Sequence, residues 1–253
     1  MRLWRKLTWE ELKLFVREPL TVVFAIGFPL VMLFVLAEVF GTAPAEPEPG
    51  DPVAFRGVSP LSYYVPAYVA LAAAAVGLVM VPAHLAAYRE RGVLRRFRAA
   101  SIPASTVFAA QVAVQYVLAA AGGLLVVVAA YLAYDFPAPE AVLGPLVAFF
   151  VTATAFAALG ILLGAVVPSP RAAQGFGVML FFVMMMVSGA GPPVDVMSST
   201  MQNIGKAMPL WHGVMAIQDP WLGEGWNWGE LAIVAAVAAA AGALAVAAFR
   251  RHS

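Results

Sequence analysis

Three histidines, fourteen carboxylates and no cysteine are the groups on which this 253-residue chain could build chemistry. Without cysteine there is no disulfide, thiolate metal site or thiol nucleophile. An enzymatic site would need a nucleophile beside a base, or metal ligands clustered on one face. His84, His212 and His252 provide neither, since no two of them share a helix face. His212 with Asp195 and Asp219 could meet, and the plain reading of that trio is a polar cluster outside the membrane. An ion-coupled carrier would place ionisable residues deep in apolar segments, where they are costly. Only Glu38 and His84 come near such places, each at the end of an apolar run. Glu38 reads as a snorkelling or turn residue and His84 as interfacial. Nucleotide chemistry would need Gly-x-x-x-x-Gly-Lys-Ser/Thr to cradle phosphates. The nearest pair, Gly205-Lys206, is followed by Ala207.

The elements around these groups follow from composition. Hydrophobic residues make up 62% of the chain and charged residues 11%, with a mean hydropathy of +0.86. A soluble domain carries about 25% charged residues. A bilayer core of about 30 Å needs roughly 20 apolar residues in a helix. Six runs qualify: 20–41, 60–86, 106–133, 141–167, 172–191 and 228–249. The fold class is therefore an all-α membrane protein with six transmembrane helices, read as one domain over 1–253. Ser59 suits an N-cap and Pro60 a first turn. Pro29, Pro66 and Pro82 fall inside runs and predict kinks, because neighbouring helices can satisfy the freed carbonyls. The first run exceeds the roughly 7–15 residues of a secretory signal, which predicts an uncleaved anchor. Segment 192–227 holds Pro192, Pro193, Asp195, Lys206 and Asp219 and is too broken to span.

Charge placement predicts orientation. With six spans, the basic residues before the first span, those at 89–98, Arg171, Arg250 and Arg251 share one side. Only Arg56 and Lys206 fall opposite. The basic side is cytoplasmic by the positive-inside rule, so both termini are expected in the cytoplasm and the protein in the plasma membrane. Glu46, Glu48, Asp51, Asp135, Glu140, Asp195, Asp219, Glu224 and Glu230 fall on the other side. Trp211, Trp221, Trp226 and Trp228 are expected at the outer interface.

Three segments between or beside the spans are patterned. In 2–18, Leu3, Trp4, Leu7, Leu14 and Phe15 share one face and Arg2, Lys6, Lys13 and Arg17 another, the pattern of an amphipathic interfacial helix on an anionic leaflet. In 87–105, Arg91, Arg95 and Arg98 form a basic stripe beside Val93, Leu94 and Phe97. That edge suits lipid headgroups or a groove on a partner protein. In 192–227, Met197, Met201, Ile204 and Met208 recur at helical spacing, which predicts a short external helix that caps the bundle or gates it. Met179, Met184, Met185 and Met186, with Phe181 and Phe182, lie in the fifth span. They read as packing or as an adaptable apolar path. The residues of a substrate path or external gate are then Met179, Phe182, Met185, Met197, Met201 and Met208.

The run Tyr88-Arg89-Glu90-Arg91-Gly92-Val93-Leu94-Arg95-Arg96-Phe97-Arg98-Ala99, followed by Pro103, resembles the first cytoplasmic loop of ABC-2 type transporter permeases. Val93 stands where that family often has Thr. Ser188-Gly189, Pro192-Pro193 and Met208-Pro209-Leu210 resemble its later motifs, with Met208 for the usual Leu. The similarity extends in order over nearly the whole chain, towards the multidrug or daunorubicin-resistance-like members.

The resemblance implies one half of an ATP-driven exporter. Two permease subunits pair, as a homodimer, and each contacts a separate ATP-binding subunit that carries ATP and magnesium. This chain would hold no cofactor, metal or catalytic site of its own. The implied partners are those subunits and the lipid bilayer, not nucleic acid. The loop after the second span becomes a coupling helix, with Arg89, Glu90, Arg91, Gly92, Val93, Leu94, Arg95 and Phe97 at the ATPase interface. A path with almost no charge disfavours small ions and suits a hydrophobic or amphipathic cargo, drug or lipid-like. Polysaccharide export is the alternative within the family, and an ion-coupled secondary transporter the alternative outside it.

Overall fold

The computed structural model describes residues 8–10, 12, 13, 19, 23–44, 53–93, 96, 99, 104–136, 139 and 141–251. These residues form helices and turns, with no strand among them. The helices are α1 (Val23–Phe40), α2 (Pro60–Glu90), α3 (Ala104–Tyr134), α4 (Leu143–Val166), α5 (Pro170–Val187), α6 (Ser199–Gly205), α7 (Pro209–Trp221) and α8 (Trp228–Arg251). Six of them, α1 to α5 and α8, are long and apolar enough to cross a membrane. The expected all-α membrane class and its six spans are present.

α2 is the axis of the bundle. Within its most apolar stretch 94% of residues are buried, against 17% in α8. Around α2 pack α1, α3, α4, α5 and α7. α8 lies chiefly against α4, on a stripe of Val234, Ala241 and Ala245, and touches α7 as well. Alanine keeps that contact close, as small residues do between membrane helices. Ser59 caps α2 as expected: its side chain accepts the Ser62 N–H at 3.1 Å. The helix runs four residues past the expected end at 86, through Arg89 and Glu90.

The internal prolines bend nothing to a stop. Each of two is preceded by a wide π turn, Val23–Gly27 before Pro29 and Val76–Met80 before Pro82. Val81 N–H donates to Val76 O, five residues back. That bond passes over the Gly77 carbonyl, and Pro82 has no N–H to offer it. Glycines of neighbouring helices close over such oxygens. A Cβ on Gly160 of α4 would overlap Gly77 O, and one on Gly177 of α5 would overlap Leu78 O. Gly122 of α3 stands in the same way against Ala25 O, whose α-helical partner would be the missing N–H of Pro29. Close Cα–H···O contact is the compensation available there.

Segment 192–227 does not span, as expected, but its helical part is two helices and not one. The break falls at Met208, whose backbone is extended (φ −104°, ψ 135°). Pro209 forces this, since a residue before proline is driven out of the α region. α7 is then buried from Leu210 to Pro220, apart from His212, and wedges between α2, α4 and α8. Trp211, expected at the interface, is buried in the core. Trp226 and Trp228 are exposed and stack on each other, rings 4.9 Å apart.

Candidate functional site

At the basic end, α2 stops on a glycine. Gly92 takes φ +66°, the left-handed region where a Cβ is unwelcome. Its N–H donates to Arg89 O at 3.1 Å, a helix C-terminal turn. Helical backbone resumes at Val93, and Arg96 N–H donates to Gly92 O at 3.2 Å. Loop 87–105 thus turns at one residue, with helical backbone at the described positions on either side. Glu90 and Arg91 are exposed and Val93 is half-buried. Arg89 is committed elsewhere: one guanidinium nitrogen donates to Gly164 O at 2.8 Å and Val167 O at 3.1 Å. Gly164 is in the last turn of α4, where helix oxygens lack intrahelical partners, and Val167 is the extended residue that follows it. Arg89 therefore ties the end of α2 to the end of α4. Arg89→Gln is expected to cost about 1–2 kcal/mol, the loss of charge-assisted hydrogen bonds, read as a lower melting temperature in detergent.

Leu94, Arg95 and Phe97 lie outside the described residues, as do Leu3, Trp4, Leu7, Leu14 and Phe15. Within 2–18 the described residues 8–10, 12 and 13 are helical. Lys13 pairs with Glu10 at 3.0 Å, and Leu12 packs against the bundle core.

At the opposite end, three carboxylates meet one arginine. Phe55, Arg56 and Gly57 are consecutive left-handed residues, at φ +58°, +56° and +75°. Such backbone is uncommon without glycine. Phe55 is buried there, against Phe40, Tyr63 and Tyr64. The Arg56 guanidinium meets Asp219 Oδ1 at 2.6 Å and also pairs with Glu224. Its backbone N–H donates to Asp195 Oδ2 at 2.8 Å. The other oxygen of Asp219 accepts from Asn227 at 2.6 Å. Burial alone would lower the Arg56 pKa, but its bond to Asp219 and the fields of Asp219 and Glu224 outweigh it and push the pKa up. His212 does not meet Asp195 and Asp219, a grouping the sequence left open, and the polar cluster there is built on Arg56. Both aspartates go to Arg56, while His212 pairs with Glu230 at the start of α8 and with Lys206 O at 2.9 Å.

Around this cluster the caps are tied to α2. Tyr63 Oη accepts the Val194 N–H at 3.1 Å, and Tyr64 Oη donates to Gly191 O at 2.9 Å. Gln218 of α7 donates to Tyr63 O at 2.7 Å. Met197 is buried, and Met201 and Met208 are half-buried against the core. In α5 the three named residues part ways. Met179 and Phe182 are 52% and 38% exposed, whereas Met185 is 5% exposed and packs inward. Phe182 and Phe181 make edge contacts with Phe24 and Phe28 of α1. α1 and α5 thus present one aromatic margin of the bundle.

Among the described residues no three of His, Asp and Glu converge as metal ligands. The arrangement is mechanical: an apolar bundle, a hinged loop at the basic end and a pinned cap at the other. Among curated proteins none matches the chain. The family model described as "ABC-2 type transporter" matches residues 2–220, which covers the first five spans, the hinged loop and the cap through α7. This chain is a multi-pass membrane protein that belongs to the ABC-2 type transporter family, whose permeases work with a separate ATP-binding subunit.

Proposed function

We propose that the chain is the transmembrane subunit of an ATP-driven exporter that moves a hydrophobic or amphipathic substrate, drug or lipid-like, outward. Two copies pair, and each meets one ATP-binding subunit carrying ATP and magnesium. The basic end faces the cytoplasm of a plasma membrane, so both termini lie there and the pinned cap lies outside. The observation that carries this reading is the joint at Gly92. It joins the start of the loop at the basic end to α2, the most buried span, which packs against α1, α3, α4 and α5. Force applied to that loop reaches the middle of the bundle through α2 and reaches α4 through Arg89. The margin of α1 and α5, where Met179 and Phe182 are exposed, suits the pairing of two copies around a shared apolar path.

The test is a complex co-expressed with its ATP-binding subunit. Replacing Glu90, Gly92 and Leu94 together by alanine is expected to leave insertion and ATP hydrolysis in place while transport falls to background. Normal transport by that variant would remove the coupling assignment. ATP hydrolysis stimulated only by a sugar polymer, and by no amphipathic compound, would move the substrate to polysaccharide. A monomer that transports without the ATPase would favour the ion-coupled carrier. Orientation has a direct readout, because the chain has no cysteine of its own. Lys206→Cys is expected to react with an impermeant thiol reagent added outside intact cells, and Arg96→Cys only after the membrane is opened.

A further inference from the structure

We propose that the cavity between the basic ends of α2 and α5 is a lipid site that holds the phosphate of an anionic phospholipid from the adjoining leaflet. The cavity measures about 760 Å³, well within the range of small-molecule sites. Two guanidiniums line it from different helices: Arg91 at the end of α2, and Arg171 in the first turn of α5. Both side chains are exposed, and neither meets a carboxylate among the described residues. Arg89, two residues before Arg91, shows the contrast, since its guanidinium is occupied by the carbonyls of α4.

The rest of the wall fits the same ligand. Gln174 adds an amide donor one turn along α5. The α5 N-terminus contributes its positive dipole end, where anions are favoured. Ser169 caps that end by accepting the Ala172 N–H at 3.3 Å, which leaves the Arg171 N–H uncapped by it. Glu90 is the one carboxylate among the described lining residues, so cations outnumber it. Ala83 and Ala87 form a methyl wall on α2, continuous with its buried, apolar length. A free anion needs no such wall, whereas acyl chains below a bound phosphate do. Arginines that only set topology need no cavity. Basic pockets between transmembrane helices are a recurrent way to hold anionic headgroups. Which leaflet supplies the lipid rests on the orientation proposed above. The binding rests on neither orientation nor transport, so it is measured on this chain alone.

The full chain, purified in detergent, is titrated with phosphatidylglycerol and separately with phosphatidylcholine, and bound lipid is counted by native mass spectrometry. Phosphatidylglycerol is expected to be retained in preference. The pair Arg91→Gln and Arg171→Gln is expected to weaken it about tenfold or more, the effect of losing charge-assisted contacts. Arg96→Gln, exposed and outside the cavity, is expected to leave retention unchanged. Inorganic phosphate is expected not to displace the lipid. Equal retention by the double variant overturns the proposal. So does displacement by inorganic phosphate, which would make this a free-anion site. A double variant that keeps its lipid but no longer assembles with the ATP-binding subunit overturns it too, and assigns the arginines to a protein contact. If the double variant melts early, Arg171→Lys carries the test: it keeps the charge and should retain lipid that Arg171→Gln loses.

Discussion

Arg56→Ala is expected to destabilise the folded chain by about 3–5 kcal/mol, the cost of leaving a buried charge without its partner. The charge left behind is Asp219. Side-chain exposure is 19% for Arg56 and 12% for Asp219, so water cannot replace the missing guanidinium cheaply. Glu224 is 50% exposed and adds little to the cost. A second contribution comes from the backbone. Phe55 and Arg56 hold left-handed conformations that cost about 1–3 kcal/mol each and persist only where their surroundings impose them. Without the guanidinium, the turn keeps the Phe55 wedge, the Val58 N–H bond to Phe55 O and the Arg56 N–H bond to Asp195. The check is chemical or thermal denaturation in detergent. Arg56→Ala combined with Asp219→Asn should recover much of the loss, since the orphaned charge is gone. A single-variant loss below about 1 kcal/mol, the range of exposed pairs, would mean that the cluster is screened by solvent and fastens nothing. Lys at this position is expected to recover only part, because an ammonium cannot reach both carboxylates with the planar fork of a guanidinium.

Gly177→Ala is expected to cost about 1–3 kcal/mol, the range of overpacking, while Gly175→Ala, two residues away on the same helix, is neutral or slightly stabilising. The two glycines differ in what a methyl would meet. At 175 there is nothing within 4 Å, and alanine is the better helix former by about 1 kcal/mol. At 177 the methyl would overlap the Leu78 carbonyl. That oxygen belongs to backbone and has no rotamer by which to yield, so α5 must move away from α2. Gly160→Ala meets the Gly77 carbonyl from the α4 side and should behave like Gly177→Ala. Melting temperatures of the three variants decide the matter, and equal values for 175 and 177 would remove the packing argument. ATP hydrolysis and transport by the assembled complex should fall with Gly177→Ala as well, because the π turn lies between the Gly92 joint and the cap.

The spans were legible because a bilayer sets their length, and their order followed from apolar runs alone. Their ends were less so. The second run was expected to stop at 86, since Arg89 and Glu90 look like loop residues. Arg89 stays helical because the unpaired carbonyls of α4 receive it, and nothing in the local pattern announces them. α7 was missed for a related reason. Gln218, Asp219 and Pro220 break its hydropathy, yet all three are buried. Their partners lie far off in the chain, with Tyr63 155 residues from Gln218 and Arg56 163 from Asp219. A signal was present all the same: Arg56 is one of only two bases on the acidic side, set among nine acids. An isolated base of that kind asks for carboxylates. The glycine contacts had a signal as well, in the four-residue spacing of Gly160 and Gly164 on α4, which marks close helix approach. The methionine pattern pointed to a short helix in this segment but not to its bounds at Ser199 and Gly205, nor to the break before Pro209. The expected gate residues proved to face different ways, because periodicity fixes a shared face and not what the face meets.

The π turn at Val76–Met80 also changes how length is read in α2. It holds one residue more than an α-helix would place there, so the parts above and below it are out of phase. An α-helix turns about 100° per residue. Deleting a single residue inside this turn would only close it to an α turn, whereas deleting one from the regular helix on its basic side would swing the lower part by that angle relative to the upper. Arg89 would leave the end of α4, and Gly92 would aim the following loop in a new direction. The residue count between Pro60 and Gly92 therefore acts as an azimuth, fixing the compass bearing on which the basic end faces whatever docks there.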